Sequence, residues 1–502
     1  MTTKEQNSNN IEDNSNIKPN VKTNFLLNTL YEVLCVITPF ITTPYVSRVL
    51  GAEQIGVNSF VGSIYNFFNL FAVLGISTYG SREIARNRDD IYARSKVFWE
   101  LELLLISTTL ISITGWLILA LTTNQYKIYY LIFTISLVNS IFNINWFYAG
   151  LEQFKYTVRK NTFVKIVGII LVFAFVKKPS DLWKFILINS LCGLLGSMSM
   201  WLSLKKFVIR VKFRELKIFR HMKNNLIYFI PSISISLYTV LDKTLIGLIT
   251  KEEAQNGYYE QANKILNIIK TFVFGALNGV MGSRMSYLFS KNKTEEIKSR
   301  IEKSINFILL IGFGCSFGLY GAIQNFVPFF FGPGYDQVIT LIYILSPIVL
   351  IIGVSSCLGS HYYTPAGKQK RISIFLIIGA TCNLIANSIL IPKFKANGAA
   401  AGSIIAETII LILLLAGCEG YYSLKKLLQA IWKKLIAGIL MYGYLWLINR
   451  FVHLGYLPLL AIQVSGGIVI YFALLALMKD SSLQIILDLN IFKKLRSKFI
   501  RK

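Results

Sequence analysis

Apolar runs of about 18 residues or more alternate with short polar breaks along almost the whole chain. Each run is long enough to cross roughly 30 Å of hydrocarbon as a helix. Reading the runs between the breaks predicts about 14 transmembrane helices, at 24–47, 57–79, 97–121, 128–149, 162–176, 183–204, 225–249, 258–288, 304–330, 338–362, 372–391, 398–418, 435–452 and 457–478. The fifth is the shortest. The alternation in blocks of about ten that marks a membrane barrel is absent from the sequence. The expected fold is an all-α polytopic membrane protein. Residues 1–23 are polar and Asn-rich, and read as a disordered N-terminus. They have no apolar core after a basic start, so they are no signal peptide.

The polar breaks differ in charge. Every second break is basic: Arg82 to Arg94; Lys155, Arg159 and Lys160; Lys205 to Lys223; Lys291 to Lys303; Lys368, Lys370 and Arg371; Lys425 to Lys434; and the tail from Lys493 to Lys502. The breaks between them, such as GAEQIG, TTNQYK, FGPGYD and KFKAN, are short and poor in Lys and Arg. By the positive-inside rule the basic side is cytoplasmic and both termini lie there. The formal net charge of +27 is then a topology signal and not a sign of nucleic acid. Only 15% of residues are charged, against about 25% in soluble domains. Six single cysteines in apolar segments offer no disulfide framework, and no Cys–His spacing points to a metal.

Landmarks repeat six helices apart. Gly56 precedes the second helix and Gly257 the eighth; Gly80-Ser81-Arg82 ends the second and Gly282-Ser283-Arg284 the eighth; Ala149-Gly150 and Ala366-Gly367 each precede a basic run. An even shift preserves orientation, which is a parallel repeat, one of the transporter plans. The expected organisation is a disordered segment 1–23, an N-lobe 24–204, a basic cytoplasmic linker 205–223, a C-lobe 224–418, two further helices in 419–478 and a basic tail 479–502.

Polar residues inside the spans fall on faces. In the seventh helix, at about 100° per residue, Ser232, Ser236, Thr239 and Lys243 form one stripe, with Ser234, Tyr238 and Asp242 beside it. Asn28 and Glu32 share a face of the first helix; Ser59, Ser63 and Asn66 align in the second; Ser136, Asn139, Ser140 and Asn143 in the fourth. Lys264 and Lys270 lie in the eighth, Asn383 and Asn387 in the eleventh, and Ser403 and Glu407 in the twelfth. Charges at depth are costly and mark a pathway or a partner. One reading is structural: Asp242 or Lys243 pairs with another helix, and the Ser and Asn residues glue helices together. The other, favoured for the set as a whole, is a hydrated cavity. Asn suits sugar hydroxyls, aromatic rings such as Tyr31, Tyr65 and Tyr238 suit sugar faces, and Lys or Arg suits phosphate.

Several segments, in order, resemble a known family. They are PYVSRVLGAEQIGVNSF (44–60), LGISTYGSREIA (74–85), WFYAGLEQFKYTVRKN (146–161), IPSISISLYTVLDKTLIG (230–247), GYYEQANKI (257–265), TPAGKQK (364–370) and CNLIANSILIPKFKANGAAAGSIIAE (382–407). The chain resembles the Wzx-type polysaccharide repeat-unit flippases of the multidrug/oligosaccharidyl-lipid/polysaccharide exporter (MOP) superfamily, from about residue 24 to 480. The resemblance implies two six-helix lobes around a central cavity plus two C-terminal helices. It implies movement of undecaprenyl-pyrophosphate-linked oligosaccharide from the inner to the outer leaflet for capsule or O-antigen assembly. Arg48, Asp242, Lys243 and Lys264 match motif positions that border the cavity. Where relatives often have Asp, this chain has Asn143, which puts a carboxylate role there in doubt.

The expected substrate-binding residues are therefore Arg48, Lys243, Lys264, Lys270, Asn66, Asn139, Asn143 and Tyr238. The carboxylates expected to couple an ion are Glu32, Asp242 and Glu407, with H⁺ or Na⁺ as the ion and no other cofactor or metal. The expected partners are the lipid-linked oligosaccharide, the lipids of the cytoplasmic membrane, and the glycan polymerase and assembly proteins, with no nucleic acid. The alternative within the same fold is an ion-coupled multidrug or cation exporter, whose cavity should be acidic or apolar. A membrane polymerase would need a large outer loop and an acyltransferase a membrane-embedded His. The loops are short, and His221, His361 and His453 stand near predicted helix ends.

Overall fold

The structure is a computed structural model that describes residues 21–483. Residues 1–20 and the tail from 484 lie outside the described residues, as do the side chains of Asn28, Tyr31, Glu32, Ser232, Ser234, Tyr238 and Thr239. Fifteen α-helices follow in order: α1 Val21–Val73, α2 Ile76–Arg86, α3 Ile91–Thr122, α4 Lys127–Phe142, α5 Asn145–Gly150, α6 Phe154–Phe175, α7 Leu182–Leu204, α8 Met222–Thr250, α9 Glu253–Ser290, α10 Thr294–Phe331, α11 Asp336–Leu345, α12 Ile348–Leu358, α13 Gln369–Ala416, α14 Leu424–Phe451 and α15 Tyr456–Leu477. No strand occurs among the described residues. The protein is an all-α, multi-pass membrane protein.

Helix covers each apolar segment read from the sequence. Eight described helices are long and apolar enough to cross a membrane, or nine if Asp336–Leu345 and Ile348–Tyr363, bent by 42°, form one span. Two of the eight, Ile37–Arg86 and Gln369–Ala416, run to 50 and 48 residues, more than twice the roughly 20 a crossing needs. The first is broken at Gly51, with φ of 75°, and again at Leu74 and Gly75 between α1 and α2, and the second is broken at Lys395, with φ of 52°. A Cβ added at Gly398 would lie 2.3 Å from the Leu390 carbonyl oxygen, and one at Gly402 would lie 2.1 Å from Asn387 Oδ1. The two arms of α13 therefore fold back on each other.

Several helices begin well before their apolar stretch. The segment expected at 162–176 is α6, which starts at Phe154 and carries Lys155, Arg159 and Lys160 in its first turns. Likewise α10 starts at Thr294 and α14 at Leu424. Hydropathy marks where lipid begins, whereas backbone hydrogen bonds run on through polar residues. The fourth segment is instead split. α4 ends at Phe142, and Asn143 Oδ1 accepts from the Asn145 side-chain amide at 2.8 Å and from its backbone N–H at 3.3 Å. The helical stripe that joins Asn143 to Ser136, Asn139 and Ser140 thus stops one residue short.

The chain forms two compact units. The first runs to Gly247 and includes Glu252–Gly257; the second comprises Leu248–Lys251 and the chain from Tyr258 onward. In the first, α4 packs on α7 and α3, α6 on α7, and α1 on α3, α4 and α6. Gly56 and Gly257, the first landmarks of the repeat, meet in a reciprocal crossing. A Cβ on Gly56 would fall 1.6 Å from the Glu253 carbonyl oxygen, and one on Gly257 would fall 1.9 Å from that of Ala52. Gly80 and Gly150 are constrained in the same way, by the Trp146 ring and the Ser81 carbonyl. Trp146 stacks on Phe98 with ring centroids 5.7 Å apart. They belong to a buried cluster that also includes Phe147, Tyr148, Met200 and Phe207.

The basic connection after α7 is zipped to α3. Arg94, 3% exposed, donates from Nε and Nη2 to the Phe207 carbonyl at 3.1 and 2.9 Å. Ser95 Oγ accepts from Ile209 N–H at 2.9 Å, and Trp99 Nε1 donates to Ile209 O at 3.1 Å. Fully buried Glu100 accepts from Lys217 N–H at 2.8 Å, Arg220 Nη2 at 2.6 Å and His221 Nε2 at 2.9 Å. Tyr79 OH lies 2.9 Å from His221 Nδ1. The neutral tautomer with Nε2–H donating to Glu100 and Nδ1 accepting from Tyr79 satisfies these two contacts, and Arg220 Nε also lies 3.2 Å from Nε2. Burial, outweighing the pull of Glu100, holds the imidazole below its usual 6.5.

In the second unit α10 is the hub, packed by α11, α12, α14 and α15. Lys434 of α14, read above as part of a topology signal, is 1% exposed and lies 3.3 Å from Asp480, which follows α15. Lys434 also donates to Asn306 Oδ1 of α10 at 3.3 Å.

Two outcomes follow. Gly56→Ala should lower the melting temperature of the purified protein by several degrees, because overpacking costs about 1–3 kcal/mol even where neighbours can shift. Gly318→Ala, with nothing within 4 Å of its Cβ position, should leave it unchanged or raise it. Glu100→Ala should cost about 1–3 kcal/mol by leaving the His221 Nε2–H and the Lys217 N–H without their acceptor. His221 is depressed in the fold, so the unfolded chain binds its proton first. Its contribution is complete above about pH 6.5 and declines as pH falls below that value. Thermal unfolding of His221→Gln against pH should show a shallower loss than the parent between about pH 6.5 and 5.

Candidate functional site

The first unit contains a cleft of about 380 Å³ walled by α1, α4, α6 and α7. Its polar lining is three amides, Asn139, Asn161 and Asn189, with Lys165, Thr38, Thr42 and Ser197. Among the described residues no aspartate or glutamate lines it. The space exists because Gly168, Gly193 and Gly196 stand on the facing helices. A Cβ on Gly168 would reach within 3.5 Å of Cys192 Sγ, and one on Gly193 within 3.5 Å of Asn139 Nδ2.

The polar groups of this region divide by what they bond. Ser136 Oγ donates to Ser190 Oγ at 2.8 Å, Ser140 Oγ to Asn69 Oδ1 at 2.7 Å, and Ser63 Oγ lies 2.7 Å from Thr244 Oγ1 of α8. These are helix-to-helix bonds, the glue role foreseen for small polar residues. Thr38 and Thr42 bond back to carbonyls of their own helix at 2.7 and 3.0 Å. Asn189 spends one amide hydrogen on Phe185 O at 2.8 Å. Asn139 Oδ1 is buried with no hydrogen-bond partner among the described residues. Lys165 Nζ donates to Cys35 Sγ at 3.2 Å, and sulfur is a weak acceptor. The cleft thus holds amide capacity at Asn139 Oδ1 that no described residue takes up, beside the Lys165 ammonium.

A second polar set lies in the other unit, between α9 and α13. Tyr259 OH is 3.1 Å from Ser403 Oγ, and Asn387 Nδ2 donates to Asn383 Oδ1 at 3.1 Å. Lys270 is within electrostatic reach of Glu407, which is 5% exposed. Lys264 lies 3.9 Å from Glu260.

The predicted residues are therefore distributed as follows. Asn139 lines the cleft. Lys270 and Glu407 come together in the second unit, with Lys264 on the same helix α9. Asp242 is 2% exposed and Lys243 half-buried, both on α8 of the first unit. Arg48, Asn66 and Asn143 are exposed. The side chains of Glu32 and Tyr238 lie outside the described residues. The sequence reading did not single out Asn161, Lys165 and Asn189, because the 162–176 span was begun after Asn161 and its lysine was counted with the helix. It also passed over Glu102, fully buried on α3, whose two carboxyl oxygens have no hydrogen-bond partner among the described residues. A carboxyl two positions after Glu100 inside an apolar run was the available signal.

Known proteins place this geometry. The profile of a family described as polysaccharide biosynthesis protein matches residues 21–287, more than half of the chain. The chain belongs to that family. It is a multi-pass membrane protein of that family, in line with the resemblance read from the sequence. A protein of Escherichia coli (strain K12) provisionally named an O-antigen transporter is 25% identical over 384 residues, 75% of this chain and 91% of the relative. One from Shigella dysenteriae with the same name is 24% identical over 405 residues, 79% of this chain and 99% of the relative. Among solved structures, the lipid II flippase MurJ in an inward closed conformation is similar with a TM-score of 0.68 at 17% identity, covering 90% of this chain and 98% of its own. An inward-facing multidrug resistance MATE family transporter of the MOP superfamily has a TM-score of 0.56 at 13% identity, covering 83% and 96%. These two likenesses concern the fold.

Asn139→Ala and Asn189→Ala should each reduce surface glycan in a complemented deletion host about fivefold, as expected for one lost hydrogen bond of ~1 kcal/mol. Protein levels should be unchanged. Ser136→Ala should instead lower the melting temperature and leave transport per folded molecule intact.

Proposed function

We propose that this protein flips an undecaprenyl-pyrophosphate-linked oligosaccharide repeat unit from the inner to the outer leaflet of the cytoplasmic membrane, by alternating access, for capsule or O-antigen assembly. The observation that carries the reading is the amide-lined cleft, with Asn139, Asn161, Asn189 and Lys165 and, among the described residues, no acidic residue. Amides supply paired donors and acceptors that match sugar hydroxyls. A drug or cation exporter calls for an acidic or apolar lining. The names of the two bacterial relatives and the family membership support the same substrate class. The basic stretches, all on one side of the alternating segments, put both termini in the cytoplasm.

Coupling to H⁺ or Na⁺ is assigned to a buried carboxyl within the spans, with Asp242, Glu407 and Glu102 as the candidates. An intramembrane ionisable residue is a functional site by default. Asp242→Asn, Glu407→Gln and Glu102→Gln are to be compared for transport under an imposed ion gradient. At least one should abolish the dependence on the gradient, and unchanged flux in all three would remove the coupling assignment.

The transport reading is tested by deleting the gene in its host and analysing undecaprenyl-linked species by mass spectrometry. Leaflet access is read with a membrane-impermeant glycan-modifying reagent. A complete repeat unit should accumulate shielded on the cytoplasmic side. Normal intermediates with an intact surface glycan would refute the proposal.

A further inference from the structure

A larger groove, of about 910 Å³, lies between α6 and α7 on the side of Val164 and Cys192 away from the amide cleft; those two residues line both. Its two ends differ. Lys155, Arg159 and Lys160, from the first turns of α6, line one end together with Ser203 from the last turn of α7. Phe163 and Leu195 line the other, and they are 68% and 60% exposed. They belong to outward rows on both helices, with Ile166 and Ile170 on α6 and Leu191 and Leu202 on α7 also exposed. In a membrane helix such rows face acyl chains.

Among the described residues no aspartate or glutamate lines the groove. Among the described residues neither Lys155 nor Arg159 takes part in an ion pair. Lys160 Nζ donates to the Ser199 carbonyl and, at 3.1 Å, to Ser203 Oγ. That fixes the ammonium over the groove and leaves one of its three hydrogens for a ligand. Three cations at a helix end, level with the start of an apolar wall, match a phosphate carried on hydrocarbon chains. The groove has no amide along its length, so nothing in it is suited to hold an oligosaccharide. The amides are all on the cleft side of Val164 and Cys192.

We infer that the α6–α7 groove is a binding site for an anionic membrane phospholipid. Its phosphate is held by Lys155, Arg159 and Lys160, and its acyl chains lie along Phe163, Ile166 and Leu195. The site is independent of the substrate reading. The bound lipid bridges the first turns of α6 to the last turn of α7, the helices that also wall the amide cleft.

The test uses the purified full-length protein. Phosphatidylglycerol, phosphatidylcholine and undecaprenyl phosphate are titrated separately, and binding is read by native mass spectrometry and by melting temperature. Phosphatidylglycerol should bind saturably and raise the melting temperature, and phosphatidylcholine should not. Lys155→Gln with Arg159→Gln should weaken phosphatidylglycerol binding about fivefold per charge removed. Both side chains are exposed, so folding is preserved. The charge-conserving pair Lys155→Arg with Arg159→Lys should keep most of the binding, and Lys205→Gln with Lys206→Gln should not affect it. Equal binding of the two phospholipids, or full binding by the glutamine pair, would overturn the assignment. Tighter binding of undecaprenyl phosphate through the same residues would also overturn it, in favour of a site for the carrier lipid.

Discussion

Hydrocarbon offers no hydrogen bonds, and this one constraint organises the molecule. Helix satisfies the backbone within each segment. Side-chain polar groups then face a choice between bonding a neighbouring helix and opening onto water or ligand. Ser63, Ser136 and Ser140 take the first course, each bonding a residue of another helix within the first unit. Asn139 Oδ1 is left with no hydrogen-bond partner among the described residues, and it lines a cleft with Asn161, Asn189 and Lys165. The functional reading rests on that division.

Close helix contact depends on residues without side chains. At Gly56 and Gly257 the obstacle to a Cβ is a backbone carbonyl, which no rotamer change can move. The same two residues are landmarks of the repeat expected from the sequence, and they stand where packing tolerates least. At Gly168 and Gly193 the missing side chains have a different effect, leaving room for the amides between α6 and α7.

The basic residues divide in a comparable way. Arg94 and Lys434 are buried, and their charges hold the linker and the C-terminal helices in place. Lys155 and Arg159 remain at the surface beside an apolar wall. A count of positive charge gives the topology argument its strength, yet it does not distinguish a structural cation from one that meets lipid.

How much was legible in the sequence depends on the range of each interaction. Hydropathy and the alternation of basic breaks determine the helical class and the order of the segments, because burial in lipid acts on each segment alone; the family came from the resemblance of the ordered motif segments. Lys155, Arg159 and Lys160 read as loop residues because hydropathy reports the solvent around a helix and not its hydrogen bonds. The roles of individual polar residues were decided only in the tertiary structure. Asn139 and Asn143 look alike on a helical wheel, but a helix end at Phe142 sends one to the cleft and the other to a cap. Glu100 and Glu102 stand two residues apart on one helix. One is enclosed by three donors from a connection more than a hundred residues later, and the other has no hydrogen-bond partner among the described residues. Periodicity can assign a residue to a face. What waits opposite that face is set by another part of the chain, and only packing brings the two together.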